Sequence, residues 1–187
     1  MRVAVTGTPG TGKTSSTDAL AQAQSGGDVE VIHLNEHIET EGLYSDVDEA
    51  RDSLVADPDA LAGWLDEREL GGDEDAGALA IGVLVVESHL AHLLDADRVV
   101  VLRCRPEELE RRLNERGVDE SKANENAESE AIDAILAETV ERYNTENVYE
   151  VDTTDLTPAE VGKEIGRVIA GERAPSAGTV SFLEYFE

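Results

Sequence analysis

Gly7-Thr8-Pro9-Gly10-Thr11-Gly12-Lys13-Thr14 fills every fixed position of the pattern G-x-x-x-x-G-K-[ST]. It follows an apolar run, Val3-Ala4-Val5-Thr6, that reads as a buried strand. A helical stretch from about Lys13 to Gln24 comes next and ends at Ser25-Gly26-Gly27, so the motif sits in a strand, loop, helix unit, the setting of a phosphate-binding P-loop. Glycines at these spacings let successive backbone N–H groups turn inward on an anion, and the helix N-terminus adds the positive end of its dipole. Lys13 then reaches the β- and γ-phosphates, and the Thr14 hydroxyl is placed to ligate Mg²⁺. One of only three lysines, Lys13, Lys122 and Lys163, falls on the required position.

Working outward, Val29-Glu30-Val31-Ile32-His33 reads as a second strand. Ile81 to Val86 and Arg98 to Leu102 are continuous apolar runs of strand length, as in parallel strands covered on both faces, and Val148-Tyr149-Glu150-Val151 is a last strand. Between them lie helical segments: one opened by Asp57-Pro58 with Leu61, Trp64, Leu65 and Leu70 on one stripe, stopped by Gly71-Gly72; one from Pro106; a long one from about Glu120 to Tyr143; and one from about Pro158 to Ala170. Leu34 to about Ala56 is acidic and weakly periodic, as expected of a small helical insertion. Alternation of strands and helices predicts an α/β fold, a doubly wound parallel sheet of about five strands.

The chain has 187 residues, a length that fits one domain. Its 42 Asp and Glu against 15 Lys and Arg give a net charge of -27, yet 40% of residues are hydrophobic and cluster in blocks, which predicts a folded core. A diffuse acidic surface with almost no lysine suits solvent near 1 M salt, where the Debye length is only about 3 Å, or else an acidic protein of ordinary surroundings. Broad nucleic-acid binding through a basic face is not expected. No window approaches the roughly 18 consecutive apolar residues of a membrane span, and Met1 leads straight into a strand, so a cytoplasmic protein is expected. The single Cys104 excludes an internal disulfide or a multi-cysteine zinc site.

Beyond the P-loop, Glu87 stands at the carboxyl end of the strand Val83 to Val86, where ligands of open α/β sheets bind, as a carboxylate that holds Mg²⁺ directly or through water. His89 is either a residue that orients a water or a phosphate, or a structural loop histidine; with His92 it lacks the spacing of a zinc helix motif. Arg98, Arg103, Arg105, Arg111, Arg112 and Arg116 concentrate positive charge in one stretch, with Arg112 and Arg116 on one helix face to clamp phosphates. The alternative is that Arg111 and Arg112 pair with Glu107, Glu108 or Glu115 on a solvated helix. No Asn-Lys-x-Asp motif follows the P-loop, which disfavours a GTPase.

These residues resemble the archaeal and eukaryotic adenylate kinase isoenzyme 6 group, also called the Fap7 type, among P-loop nucleoside monophosphate kinases. The resemblance covers about residues 1 to 170. It rests on Thr6 to Thr14, on Val86-Glu87-Ser88-His89 where that family has Val-Asp-Tyr-His, and on Glu110 to Gly117, similar to its Arg-Leu-x-x-Arg-Gly lid. Lys122, Asn126, Glu130 and Tyr143 keep the family's order and spacing. Glu87 replaces the usual Asp, Ser88 an aromatic, and Leu90 a Gly. The resemblance implies transfer of the γ-phosphate of MgATP to AMP, with Gly7, Pro9, Gly10, Thr11, Gly12, Lys13, Thr14 and Ser15 on ATP and Arg116 closing over it; Lys13, Glu87, His89, Arg112 and Arg116 would carry catalysis, and Thr14 and Glu87 the metal. It further implies a kinase domain over residues 1–171, a monophosphate-binding insertion at about 35–57 with Arg51 as its only Arg, and a lid at about 111–122. ATPase activity and a role in small ribosomal subunit maturation through a platform ribosomal protein are implied in the same way. Residues 172–187 form a tail with the aromatic cluster Phe182-Leu183-Glu184-Tyr185-Phe186, docked on its own domain or on a partner.

Overall fold

The computed structural model describes residues 1–24, 29–48, 53–70 and 82–187. Among them a five-stranded sheet runs in the order β2 (Val29–His33), β5 (Val83–Glu87), β1 (Arg2–Thr6), β6 (Arg98–Arg103), β7 (Val148–Asp152), every neighbouring pair parallel. Apolar side chains alternate across it, so each face has its own core. Ala4, Val86, Val99 and Val101 pack with Leu61, Leu65 and Leu136 on one face; Val3, Val5, Val85, Val100 and Leu102 pack with Leu20, Val161, Ile165 and Val168 on the other. This two-sided burial explains why the central strands read as unbroken apolar runs.

The second face is covered by α1 (Lys13–Ala23) and α7 (Pro158–Ile169). They approach closely because Gly162 has no side chain: a Cβ there would lie 2.9 Å from the Ser16 carbonyl oxygen. Thr157 and Glu160 form a capping box at the start of α7, satisfying amides that the first turn leaves unpaired. The first face is covered by α2 (Leu34–Thr40), α3 (Pro58–Leu70) and, after α4 (Pro106–Glu115) and α5 (Glu120–Ala131), by α6 (Ala134–Tyr143). No helix among the described residues is long and apolar enough to cross a membrane.

Two sequence expectations are corrected. The helix expected from about Glu120 to Tyr143 is two helices, α5 and α6, broken where Asp133 adopts φ 58°. No Gly or Pro marks this break; Asp tolerates the left-handed region, and Arg103 holds the Asp133 carboxylate there while also donating to the Glu130 carbonyl at 3.1 Å. Among the described residues, the insertion expected to be helical contains one helix, α2, followed by an antiparallel hairpin of β3 (Tyr44–Asp48) and β4 (Ser53–Ala56). Its strands are short, and apolar Tyr44, Val47 and Val55 stand exposed on it, so no apolar-in, polar-out alternation marks it in the sequence. Ser25-Gly26-Gly27, Arg51, Gly71-Gly72 and Ile81 lie outside the described residues.

Candidate active site

The strands β1 and β5 end side by side, Val5 in register with Glu87, and the loop leaving β1 carries the Gly-rich motif to the start of α1. Gly7 has φ 139°, and a Cβ on it would stand 2.3 Å from the Leu102 carbonyl oxygen, so only glycine fits. The N-cap of α1 is Gly12 at φ 88° with no side-chain cap, which leaves the first-turn amides for a ligand. Lys13 is 7% exposed and donates to the carbonyls of Gly7 at 2.8 Å and Thr8 at 3.1 Å. Burial lowers its pKa to about 8, against the raising influence of Glu87 and then Glu130.

Glu87, 4% exposed, accepts a hydrogen bond from the Thr14 hydroxyl at 3.2 Å. The same carboxylate oxygen lies 2.8 Å from His33 Nδ1, and His33 Nε2 lies 3.1 Å from Asp18. Burial works against the charged form of His33, but hydrogen bonds and charge from Glu87 and Asp18 outweigh it and raise the pKa. A hydroxyl and a carboxylate side by side are hard oxygen donors that suit Mg²⁺, which takes one or two protein ligands and completes its shell with water and substrate phosphates. No cluster of three or more His, Cys, Asp or Glu that could cage a metal occurs among the described residues.

His89, two residues past Glu87, is held neutral: burial first, then the charges of Lys13 and His92, lower its pKa to about 4. It lines a cavity of 230 Å³ with Leu54, Val55 and Ala56 of the hairpin and Leu61 and Leu90. His92 is turned away from that cavity and is structural, its Nδ1 3.0 Å from the Thr6 hydroxyl and its Nε2 3.0 Å from Glu138.

The basic stretch does not form one patch. Arg98 caps the end of α7 through the Val168 and Ile169 carbonyls, Arg103 is buried, Arg105 is 4.0 Å from Asp155, and Arg111 pairs with Glu108 and Glu115 on an exposed helix face. Sequence proximity places β6 and α4 residues on different sides, because a strand alternates sides and a helix rotates its side chains. Only Arg111, Arg112 and Arg116 reach the P-loop, lining a cavity of 270 Å³ with Gly10, Thr11, Gly12 and Ser15. Arg112 is engaged by Glu108 at 2.8 Å and by the Thr153 and Thr154 carbonyls at 3.0 Å. Arg116, at the C-cap of α4, donates its backbone amide to the Leu113 carbonyl at 3.1 Å, while its guanidinium makes no hydrogen bond or ion pair among the described residues.

Three side chains whose contacts motif reading did not foresee complete the surroundings; Arg103 was named there only as one of the basic stretch. His33 was visible only as a strand residue. Glu130, seen only within the family resemblance, accepts the Thr8 hydroxyl through one oxygen and Arg103 Nε at 2.7 Å through the other. Arg103, 1% exposed, also donates to Glu150 at 2.7 Å and to Asp133. Nothing local signals these contacts: Thr8 and Glu130 are 122 residues apart.

Comparison with known proteins gives three findings. The family described as AAA domain (AAA_18) matches residues 3–133. A Natronomonas pharaonis protein named "Putative adenylate kinase" is 54% identical over 185 residues, covering 99% of each chain, and one of the same name from Halobacterium salinarum is 49% identical over 186 residues, again 99% of each. The crystal structure of shikimate kinase from Bacteroides thetaiotaomicron superposes with a TM-score of 0.54 at 18% identity, covering 91% of this chain and 98% of that one, a likeness of fold.

Proposed function

The chain belongs to the P-loop nucleoside monophosphate kinase family of these archaeal relatives, and from that premise we propose that it transfers the γ-phosphate of MgATP to AMP. An AMP phosphate oxygen forms the new bond to the γ-phosphorus as the bond to the ADP oxygen breaks, giving two ADP. One observation carries this reading: a glycine-turned loop with an uncapped helix N-terminus holds Lys13 within reach of the Thr14–Glu87 pair, at the end of the sheet where strands point their carboxyl ends.

In this reading residues Gly7 to Ser15 receive the phosphates through backbone amides. Lys13 leaves the Gly7 and Thr8 carbonyls for the phosphate oxygens, exchanging one set of acceptors for another. Thr14 and Glu87 would hold Mg²⁺, which when bound would offset charge on the phosphate oxygens. Arg116, its guanidinium without an ion pair among the described residues, closes over ATP as part of a lid at about 111–122; Arg112 joins it by exchanging Glu108 and the Thr153 and Thr154 carbonyls for phosphate. The hairpin side of the site, within about 35–57, receives AMP, with neutral His89 between the two substrates to accept a hydrogen bond. Residues 1–171 form the kinase unit, and a cytoplasmic, salt-adapted protein belongs to the same reading.

A second reading is ATP hydrolysis by a factor that matures the small ribosomal subunit through a platform ribosomal protein. It is favoured by the His89 ring, which is neutral, near Lys13 and without a hydrogen bond among the described residues, and so suited to orient a water. A coupled assay in molar KCl with MgATP, with and without AMP, beside Lys13→Ala separates the two. We expect ADP formation that needs AMP and falls about 100-fold or more in the variant, the usual effect of losing a charge-stabilising donor. Lys13-dependent ADP release without AMP would transfer the assignment to the ATPase.

A further inference from the structure

The tail is tied to the core by Arg173, which pairs with Glu164, by Ser176, whose amide donates to the Val148 carbonyl and whose hydroxyl accepts the Glu150 amide, and, furthest along, at the Glu150 carboxylate. Glu150, in β7 and 1% exposed, accepts the backbone amides of Thr179 at 2.7 Å and Val180 at 3.4 Å through one oxygen and Arg103 Nη1 at 2.7 Å through the other. Phe182, 7% exposed, sets its ring 5.5 Å from the Arg103 guanidinium carbon. Arg103 passes the contact on to Glu130, Glu130 to the Thr8 hydroxyl, and the Thr8 carbonyl to the Lys13 ammonium. A continuous chain of contacts, buried from Glu150 inward, therefore joins Thr179 and Phe182 to the P-loop lysine.

The charge arithmetic explains why the tail is part of this chain. One guanidinium faces three carboxylates, Glu130, Asp133 and Glu150, so Glu150 is buried with less than one compensating positive charge. Neutral donors must supply the rest, and among them are the tail amides; the Phe182 ring keeps water off the guanidinium and strengthens its pull on Glu130. With water admitted, Arg103 and Glu150 exchange protein partners for solvent, and Glu130 loses the fixed pose in which its second oxygen meets Thr8.

We propose that the segment Thr179 to Phe182 is a working part of the nucleotide site: by sealing Glu150 and Arg103 it makes Arg103 and Glu130 positioning residues that hold the P-loop, at Thr8, in the form that receives the nucleotide's phosphates. This rests on the assignment of the P-loop to ATP. The exposed end of the same tail, Leu183 at 59%, has no part in the chain and serves as its control.

The test is a double-mutant cycle on the full chain, with MgATP affinity read by titration calorimetry and folding by thermal unfolding. Phe182→Ala is expected to weaken ATP binding about three- to tenfold, the range typical of coupling through packed side-chain networks. Phe182→Tyr, which keeps a ring over Arg103, and Leu183→Ala are expected to bind as wild type. In a Thr8→Val background, where the link to Glu130 is already cut, Phe182→Ala should change affinity less than about twofold. Loss of thermal stability with unchanged ATP affinity in Phe182→Ala, or effects that multiply in the double variant, would overturn the proposal and leave the tail a structural strap. Wild-type binding of ATP that survives Lys13→Ala would instead bring down the assignment of the P-loop itself, and this inference with it.

Discussion

Two carboxylates grip the P-loop from opposite sides, and both are nearly buried: Glu87 takes the hydroxyl of Thr14, Glu130 that of Thr8. Their partners differ. Glu130 is tied to Arg103, a guanidinium that stays charged at any working pH, and closed over by the tail; Glu87 is tied to His33, whose ring neighbours Asp18 at the exposed edge of the site. In the reading proposed above, the permanent ion pair would hold the loop's base still, while the neutralisable partner would leave Glu87 able to trade a hydrogen bond for a metal ion. Position in the sheet decides which is which: Glu87 is the last residue of β5 at the open carboxyl edge, whereas Glu130 is turned inward from α5.

The comparison predicts a division of effects. Arg103→Met should produce the largest change: three carboxylates lose their guanidinium, and breaking a buried pair from one side costs about 3–5 kcal/mol. A drop of roughly 6–20 °C in Tm is expected for a chain of this size; a drop of a degree or two would mean that the Glu130 side is as adaptable as the Glu87 side. Glu87→Gln should leave Tm almost unchanged and raise the Mg²⁺ concentration for half-maximal activity about 10–100-fold, the scale on which metal-site substitutions act. A metal titration of activity that overlays wild type would remove Glu87 from the metal site.

The smallest expected effect is a shift in a pH profile. Lys13 has a pKa lowered by burial to about 8 and must be charged to meet phosphate, so kcat/KM for ATP should fall as pH rises through about 8, the direction in which the ammonium loses its proton. Glu87 supports the charged form more than Glu130 does. The alkaline limb should therefore move to lower pH in Glu87→Gln, and a limb that stays in place would mean that Lys13 feels the two carboxylates alike.

Much of this was legible before any coordinates. The motif Gly7 to Thr14 and the apolar runs at residues 3–6, 83–86 and 98–102 are contiguous, and each is a local pattern with one dominant structural solution. Glu87 was readable because the end of a buried strand is a defined place in an open α/β sheet. Of the six arginines, Arg112 and Arg116 lie beside the P-loop as their shared helix face suggested, but nearness in sequence between Arg98 and Arg116 says nothing of which face of β6 or α4 the others occupy. The break between α5 and α6 was invisible for another reason: Asp133 takes its left-handed backbone because Arg103 waits there, and Arg103 lies 30 residues away.

What the sequence by itself determined, then, is the phosphate-binding loop and the parallel sheet that presents it, because both follow from adjacent residues acting through backbone geometry and hydrophobic periodicity. Tertiary structure alone decided which titratable groups surround that loop. His33 meets Glu87 across 54 residues and Thr8 meets Glu130 across 122, contacts created when separate elements pack and satisfied because a buried charge without partners is too costly to leave.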